Sequence, residues 1–158
     1  MFGMQFIDLF CGIGGFRFAL EALGHEFVFS SDIDLHAQET YALNFGEKPF
    51  GDITRFDPSD IPGHDVTCAG FPCQPFSISG KQLGFEDARG TLLYHILEIA
   101  ERHQPKVLFL ENVKNYRGHN GGRTLTTTLQ LLDRVGYHCH HSLLNASSYG
   151  VPQKRERL

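Results

Sequence analysis

Apolar positions along the 158 residues change period several times. Gln5–Phe10 and Glu26–Ser31 are short apolar runs of strand type. Between them, Phe16, Ala19, Leu20 and Leu23 fall at helical spacing over Gly15–Leu23, and Gly24 stands where a helix C-cap glycine belongs. Asp34 reads as the N-cap of a helix over Leu35–Phe45 that Gly46 ends. Lys48–Ile53 predicts a weak third strand and Val66–Ala69 a short buried one. Thr91–His103 is amphipathic through Leu92, Leu93, Ile96, Leu97 and Ile99. Lys106–Leu110 predicts a strongly apolar strand, Leu125–Val135 a helix and Tyr137–Asn145 a last strand.

Strands that alternate with helices predict right-handed βαβ units and a mostly parallel α/β sheet, read as one domain over residues 1–158. Ligands of such sheets bind beyond the carboxyl ends of the strands. Each irregular segment here follows a strand: Phe10–Phe16, Ser31–Asp34, Gly70–Arg89 and Glu111–Gly122. Gly70–Arg89 is long for a connection in a compact domain, and connections of that length often serve as lids or binding loops.

Composition adds limits. Hydrophobic residues make up 41% and charged residues 20%, the balance of a soluble globular chain. No apolar run spans a bilayer and no signal peptide is evident, so a cytosolic protein is expected. The net charge of −4 does not suggest a nucleic-acid binder. The charge is unevenly spread, however. Residues 1–70 carry 3 Lys and Arg against 11 Asp and Glu, a balance of −8; residues 71–158 carry 11 against 7, a balance of +4. A polyanion would sit on the second half.

Four segments carry candidate chemistry. Asp8–Phe16 crosses from strand to helix with Gly12, Gly14 and Gly15, where backbone amides can approach a ligand. It is not the dinucleotide fingerprint, because position 17 is Arg. Asp32, at the end of the second strand, is placed to accept hydrogen bonds from ribose hydroxyls, and Asp52 could face the adenine side of the same ligand. In Gly70–Ser77, prolines on both sides restrict the backbone around Cys73, as suits a nucleophile. Cys11 and Cys68 lack such a setting and read as structural. Glu111-Asn112-Val113 puts a carboxylate at a strand end, able to protonate or hydrogen-bond a ring nitrogen. In Gln153–Arg157, Arg155 and Arg157 fall on one side of an extended strand, suited to a phosphate or a pyrimidine carbonyl and able to lower a thiol pKa. The run His138, Cys139, His140, His141 alternates faces if it is a strand, so at most two side chains converge and no metal is expected.

Taken in order, these segments resemble the C5 DNA cytosine methyltransferases. Asp8–Phe16 resembles the family's cofactor motif, Gly70–Ser77 its Pro-Cys motif, Glu111–Val113 its Glu-Asn-Val and Gln153–Arg157 its Gln-x-Arg-x-Arg. Ser77–Leu92 and Tyr149–Arg157 are similar to bacterial restriction–modification enzymes. The resemblance implies a three-layer, Rossmann-like fold that binds S-adenosylmethionine, and a cytoplasmic enzyme acting on double-stranded DNA. It implies cofactor contacts at Phe10, Gly12, Ile13, Gly15, Asp32, Asp52, Ile53, Gly70, Pro72 and Leu92. It implies catalytic roles for Cys73, Glu111, Arg155 and Arg157, and a DNA-closing loop with Gln74, Ser77, Ser79, Lys81 and Arg89. Close relatives have an aromatic residue where this chain has Ile33, so adenine would pack on an aliphatic side chain. The family's target-recognition domain and closing motifs lie beyond the matched stretch. The expectation is therefore a fragment, or one chain of a split enzyme completed by a second, with little activity alone. The alternatives are a non-catalytic cofactor-binding or assembly subunit and a tRNA cytosine methyltransferase on the same fold.

Overall fold

The computed structural model describes residues 3–73 and 91–158. They gather into two compact units: Met1–Phe71 with Glu98–Leu110, and Pro72–Leu97 with Glu111–Leu158.

The first unit is built on a sheet of β1 (Gln5–Leu9), β2 (Glu26–Ser31), β3 (Val66–Gly70) and β4 (Val107–Glu111), in the order β2-β1-β3-β4. β1 runs parallel to both β2 and β3, with a register shift between Phe6 and Ile7. α1 (Gly15–Ala22) and α2 (Leu35–Phe45) connect successive strands. Phe6, Val66 and Cys68 form a core against which Met4, Phe16, Leu20 and Phe27 pack. Asp34 caps α2 by accepting from the His36 and Ala37 amides, and Gly46 closes it in a left-handed conformation. Gly24 follows α1 with φ +83°. α3 (Leu92–His103), of which only the residues from Glu98 on belong to this unit, buries Leu93, Ile96, Leu97, Ile99 and Ala100, the stripe that its periodicity predicts.

In the second unit, α4 (Arg123–Arg134) buries Thr124, Thr127, Thr128, Leu131 and Leu132. β5 (Leu144–Asn145) pairs antiparallel with β6 (Glu156–Arg157), and Asn112 exchanges both backbone hydrogen bonds with Leu158.

Two expected strands are corrected. Lys48–Ile53 supplies only one bridge, from Phe50 to Ser31, because Asp52 caps a 3₁₀ turn at Ile53–Arg55 and turns the chain away. Tyr137–Asn145 is strand only over its last two residues, where β6 offers a partner. His138–His141 lies outside any strand, so its side chains do not alternate faces as expected. Among the described residues, no three His, Cys, Asp or Glu side chains gather as a metal cage requires. No helix among them is long and apolar enough to cross a membrane.

Candidate functional site

Parallel strands bring their carboxyl ends to one edge of the first unit. β1 leads there into a tight turn. Phe10 has φ +56°, Gly12 has φ +54° and Gly14 has φ +93°. The Cys11 amide donates to Ser31 O (3.1 Å) and the Gly14 amide to Cys11 O (2.8 Å). Asp32, at the end of β2, accepts from the Gly12 amide at 2.7 Å and from the Asp34 amide at 2.8 Å. Those donors fix the carboxylate and leave it lone pairs for hydroxyl donors.

The two ends of the glycine run differ. A Cβ on Gly14 would drive into the Phe45 ring, so that glycine serves packing within the chain. A Cβ on Gly12 or Gly15 would meet nothing within 4 Å. No described chain atom fills that space, which fits a ligand held by backbone amides.

Around this turn, Ile13 is 56% and Ile33 is 70% exposed, while Ile53 is buried. The Asp32 amide donates to Phe50 O, and Phe50 stacks on Phe29, with Phe56 at the edges of both rings. This cluster carries Asp52 in with β2. Asp52 itself accepts from the Thr54 amide and hydroxyl. Gly70 ends β3. The first unit thus holds Phe10, Gly12, Ile13, Gly15, Asp32, Ile33, Asp52, Ile53 and Gly70.

Pro72 and Leu92 belong to the second unit, which also holds Cys73, Glu111, Arg155 and Arg157. There, Arg157 Nε lies 2.7 Å from Glu111 Oε1, each side chain about a third exposed. The antiparallel bridge from Val113 to Arg157 sets this pairing. Between the two arginines, Glu156 pairs with Lys114 at 2.8 Å. Arg155 is exposed; its amide donates to Asn145 Oδ1, and its side chain forms no ion pair with a described residue. The strand covers only Glu156 and Arg157, and of the two arginines only Arg157 reaches Glu111. Cys73 is half-buried and near Tyr116. Burial pushes the Tyr116 phenol up to about 12; the Thr128 hydroxyl, 2.7 Å away, opposes this and Cys73 adds to it. Gln74, Ser77, Ser79, Lys81 and Arg89 lie outside the described residues.

Asp8 opens the Asp8–Phe16 motif, which by itself assigns it no role. It is fully buried in β1, and neither carboxyl oxygen has a hydrogen-bond partner among the described residues. An acid inside an otherwise apolar strand is the signal that marks it.

The family described as C-5 cytosine-specific DNA methylase matches residues 4–158. Type II methyltransferase M.HhaI of Haemophilus parahaemolyticus is 56% identical over 156 residues, covering 99% of this chain and 48% of that protein. M.NgoBI of Neisseria gonorrhoeae is 56% identical over 152 residues, covering 96% and 48%. The chain spans about half the length of the curated relatives it matches. Among solved structures, a putative DNA modification methyltransferase encoded within an E. coli prophage superposes with a TM-score of 0.75 at 25% identity, covering 98% of this chain and 45% of that one. An S. pombe Dnmt2 methyltransferase gives 0.72 at 22%, covering 98% and 47%, a likeness of fold. The Rossmann-like methyltransferase fold expected from the sequence is the fold observed, and the chain belongs to the C-5 cytosine-specific DNA methylase family.

Proposed function

We propose that this chain carries the methyl-donor site and the nucleophile of a DNA (cytosine-5)-methyltransferase of a restriction–modification system. The family implies a methyl donor of the S-adenosylmethionine type and a DNA substrate. The observation that carries the reading is the Glu111–Arg157 ion pair, which joins two motifs distant in sequence within the unit that holds Cys73.

Cytosine C5 is too weak a nucleophile to take a methyl group unaided. The Cys73 thiolate adds to C6, which turns C5 into an enamine carbon. Glu111 hydrogen-bonds or protonates N3 and so receives the charge that develops on the ring, while Arg157 holds the carboxylate in place. Arg155 offers its guanidinium to a phosphate or to the ring carbonyl. S-adenosylmethionine, when bound, supplies an electrophilic methyl group to C5. Loss of the C5 proton to base and expulsion of Cys73 then restore the aromatic ring. The base must leave the duplex to be reached, a task that suits Gln74, Ser77, Ser79, Lys81 and Arg89.

The cofactor residues are those that the family resemblance implies, and the turn geometry supports Gly12 and Asp32 among them. The Gly12 and Gly15 backbone, with Phe10 and Ile13, would line the methionine side. Asp32 would accept from the ribose hydroxyls. Ile33, Asp52 and Ile53 would take the adenine. Gly70 belongs with these, and Pro72 and Leu92 of the second unit are proposed from the family resemblance alone.

The test is transfer of labelled methyl from S-adenosylmethionine to unmethylated duplex DNA, with tRNA as competitor and with cofactor binding measured separately by calorimetry. Transfer to DNA that disappears in Cys73→Ser supports the reading. Transfer that survives the substitution, a preference for tRNA, or no cofactor binding would count against it.

A further inference from the structure

Two polar side chains of the first unit are fully buried without a hydrogen-bond partner among the described residues: the Asp8 carboxyl, through both its oxygens, and the Ser31 hydroxyl. Asp8 lies in register with Ser30 of β2 and Cys68 of β3, two residues before Phe10 opens the glycine turn. It shares a face of β1 with Phe6, which with Val66 and Cys68 forms the core that Phe16 and Leu20 of α1 pack against. The groups around it are known from each neighbouring element. α1 contributes Arg17, which is bound in turn to Tyr41 of α2; the end of β2 contributes Asp32; the turn contributes Cys11 and β3 contributes Cys68. Burial pushes the Asp8 carboxyl up to about 8; the Arg17 amide and guanidinium oppose the rise and Asp32 adds to it. Burial first and Asp8 second raise both thiols, Cys68 to about 12.

A buried carboxyl whose burial outweighs the pull of its one neighbouring cation stays neutral unless a further positive charge comes close. The cofactor and its product differ by such a charge: S-adenosylmethionine carries a fixed sulfonium cation, and S-adenosylhomocysteine is an uncharged thioether. We propose that Asp8 is the buried counter-charge of the cofactor turn, neutral without a cationic ligand and ionised when a sulfonium ligand binds. It would then be a specificity residue that favours methyl donor over spent product. This rests on the cofactor reading above. It concerns a residue that acts through the field at the turn and is a positioning group, not a catalytic one.

Calorimetry with each ligand, in two buffers of different ionisation enthalpy between about pH 6 and about pH 9, counts the protons released. The ligand's own amine titrates in every protein alike, so the difference between the parent and Asp8→Asn reports Asp8. On S-adenosylmethionine the parent should release an extra fraction of a proton near neutrality that Asp8→Asn does not. Its preference for donor over product should rise with pH, by about tenfold for each unit of pKa displaced. A parent-only measurement covers the case of an unfolded variant. The infrared band of a protonated carboxyl should be bleached by S-adenosylmethionine and spared by S-adenosylhomocysteine. Equal proton counts in parent and variant, or a band that neither ligand changes, would overturn the proposal and leave the cofactor site standing. Failure of both ligands to bind would sink the cofactor reading and this one with it.

Discussion

Arg17 stands where a dinucleotide fingerprint has its third glycine, and its surroundings explain why a cation occupies the place. The guanidinium is nearly buried, 3.6 Å over the Phe27 ring and 4.4 Å over Phe45, and it bonds the Tyr41 hydroxyl. It also pairs with Glu21 and Glu47, each at 2.8 Å. One side chain thus ties α1 to β2 and α2. Arg17→Met should lower unfolding free energy by about 2–4 kcal/mol, since the stacking and the ion pairs go together. Arg17→Lys should recover little of it, because an ammonium lacks the planar fork. Urea denaturation measures both, and a loss within about 0.5 kcal/mol, as at an ordinary surface site, would refute the latch. Ile33 poses the opposite case, a large apolar side chain that the chain leaves 70% exposed. If adenine packs there, Ile33→Trp adds stacking area and should tighten S-adenosylmethionine binding by about two- to tenfold, at the scale of one aromatic contact. Calorimetry that finds no gain would move the adenine elsewhere.

At the scale of elements, the glycine turn separates packing from ligand space. Gly14→Ala combines a left-handed backbone with collision against Phe45, and should cost about 2–4 kcal/mol of stability. Gly12→Ala meets only open space, so it should cost about 1 kcal/mol of stability while displacing the ligand. Thermal melts beside cofactor titration distinguish them; equal loss of fold in both would refute the division. A second element-scale prediction concerns the approach to β3. His64 bonds Pro62 O through Nδ1 and the Thr67 hydroxyl through Nε2, its ring 5.0 Å from that of His103. Burial holds it below its usual pKa of 6.5; the Pro62 bond opposes this and His103 adds to it. The unfolded chain therefore takes the proton first, and the contribution of His64 to stability falls as pH drops below about 6.5 toward the lower folded value. Urea midpoints should decline over that window and decline less in His64→Gln; parallel curves would exclude His64 as the cause. The βα alternation through Gly46, the Asp34 cap and the stripe on α3 are legible in sequence because they depend on local periodicity and local hydrogen bonds. The misread strands depend on pairing. Nothing within Tyr137–Leu143 shows that β6 will reach only Leu144 and Asn145, and nothing within Lys48–Ile53 shows that Asp52 will cap a turn. The site divides in the same way. Gly12, Asp32 and Cys73 announce themselves by motif, but the pairing of Arg157 rather than Arg155 with Glu111 needs the fold.

For the molecule as a whole, the charge imbalance follows the division into compact units. Lys and Arg number 5 against 13 Asp and Glu in the first unit, a balance of −8, and 9 against 5 in the second, a balance of +4. A polyanion meets repulsion over one unit and attraction over the other, although the net charge of −4 hides both. If duplex DNA is held by the second unit, phosphates neutralised there release counterions, and binding weakens with salt in proportion to their number. Arg117 and Lys154 are exposed cations of that unit outside the proposed catalytic set. Replacing either with Gln should make the plot of log Kobs against log salt shallower by about 0.9 for each phosphate no longer neutralised, uniformly across sequences. Lys48→Gln and Arg55→Gln, in the acidic unit, should leave the slope unchanged. A slope that responds to Lys48 or Arg55 and ignores Arg117 and Lys154 would place the DNA on the wrong unit for this account. Cys73, Glu111 and Arg157 would then need another explanation for lying together in the basic one.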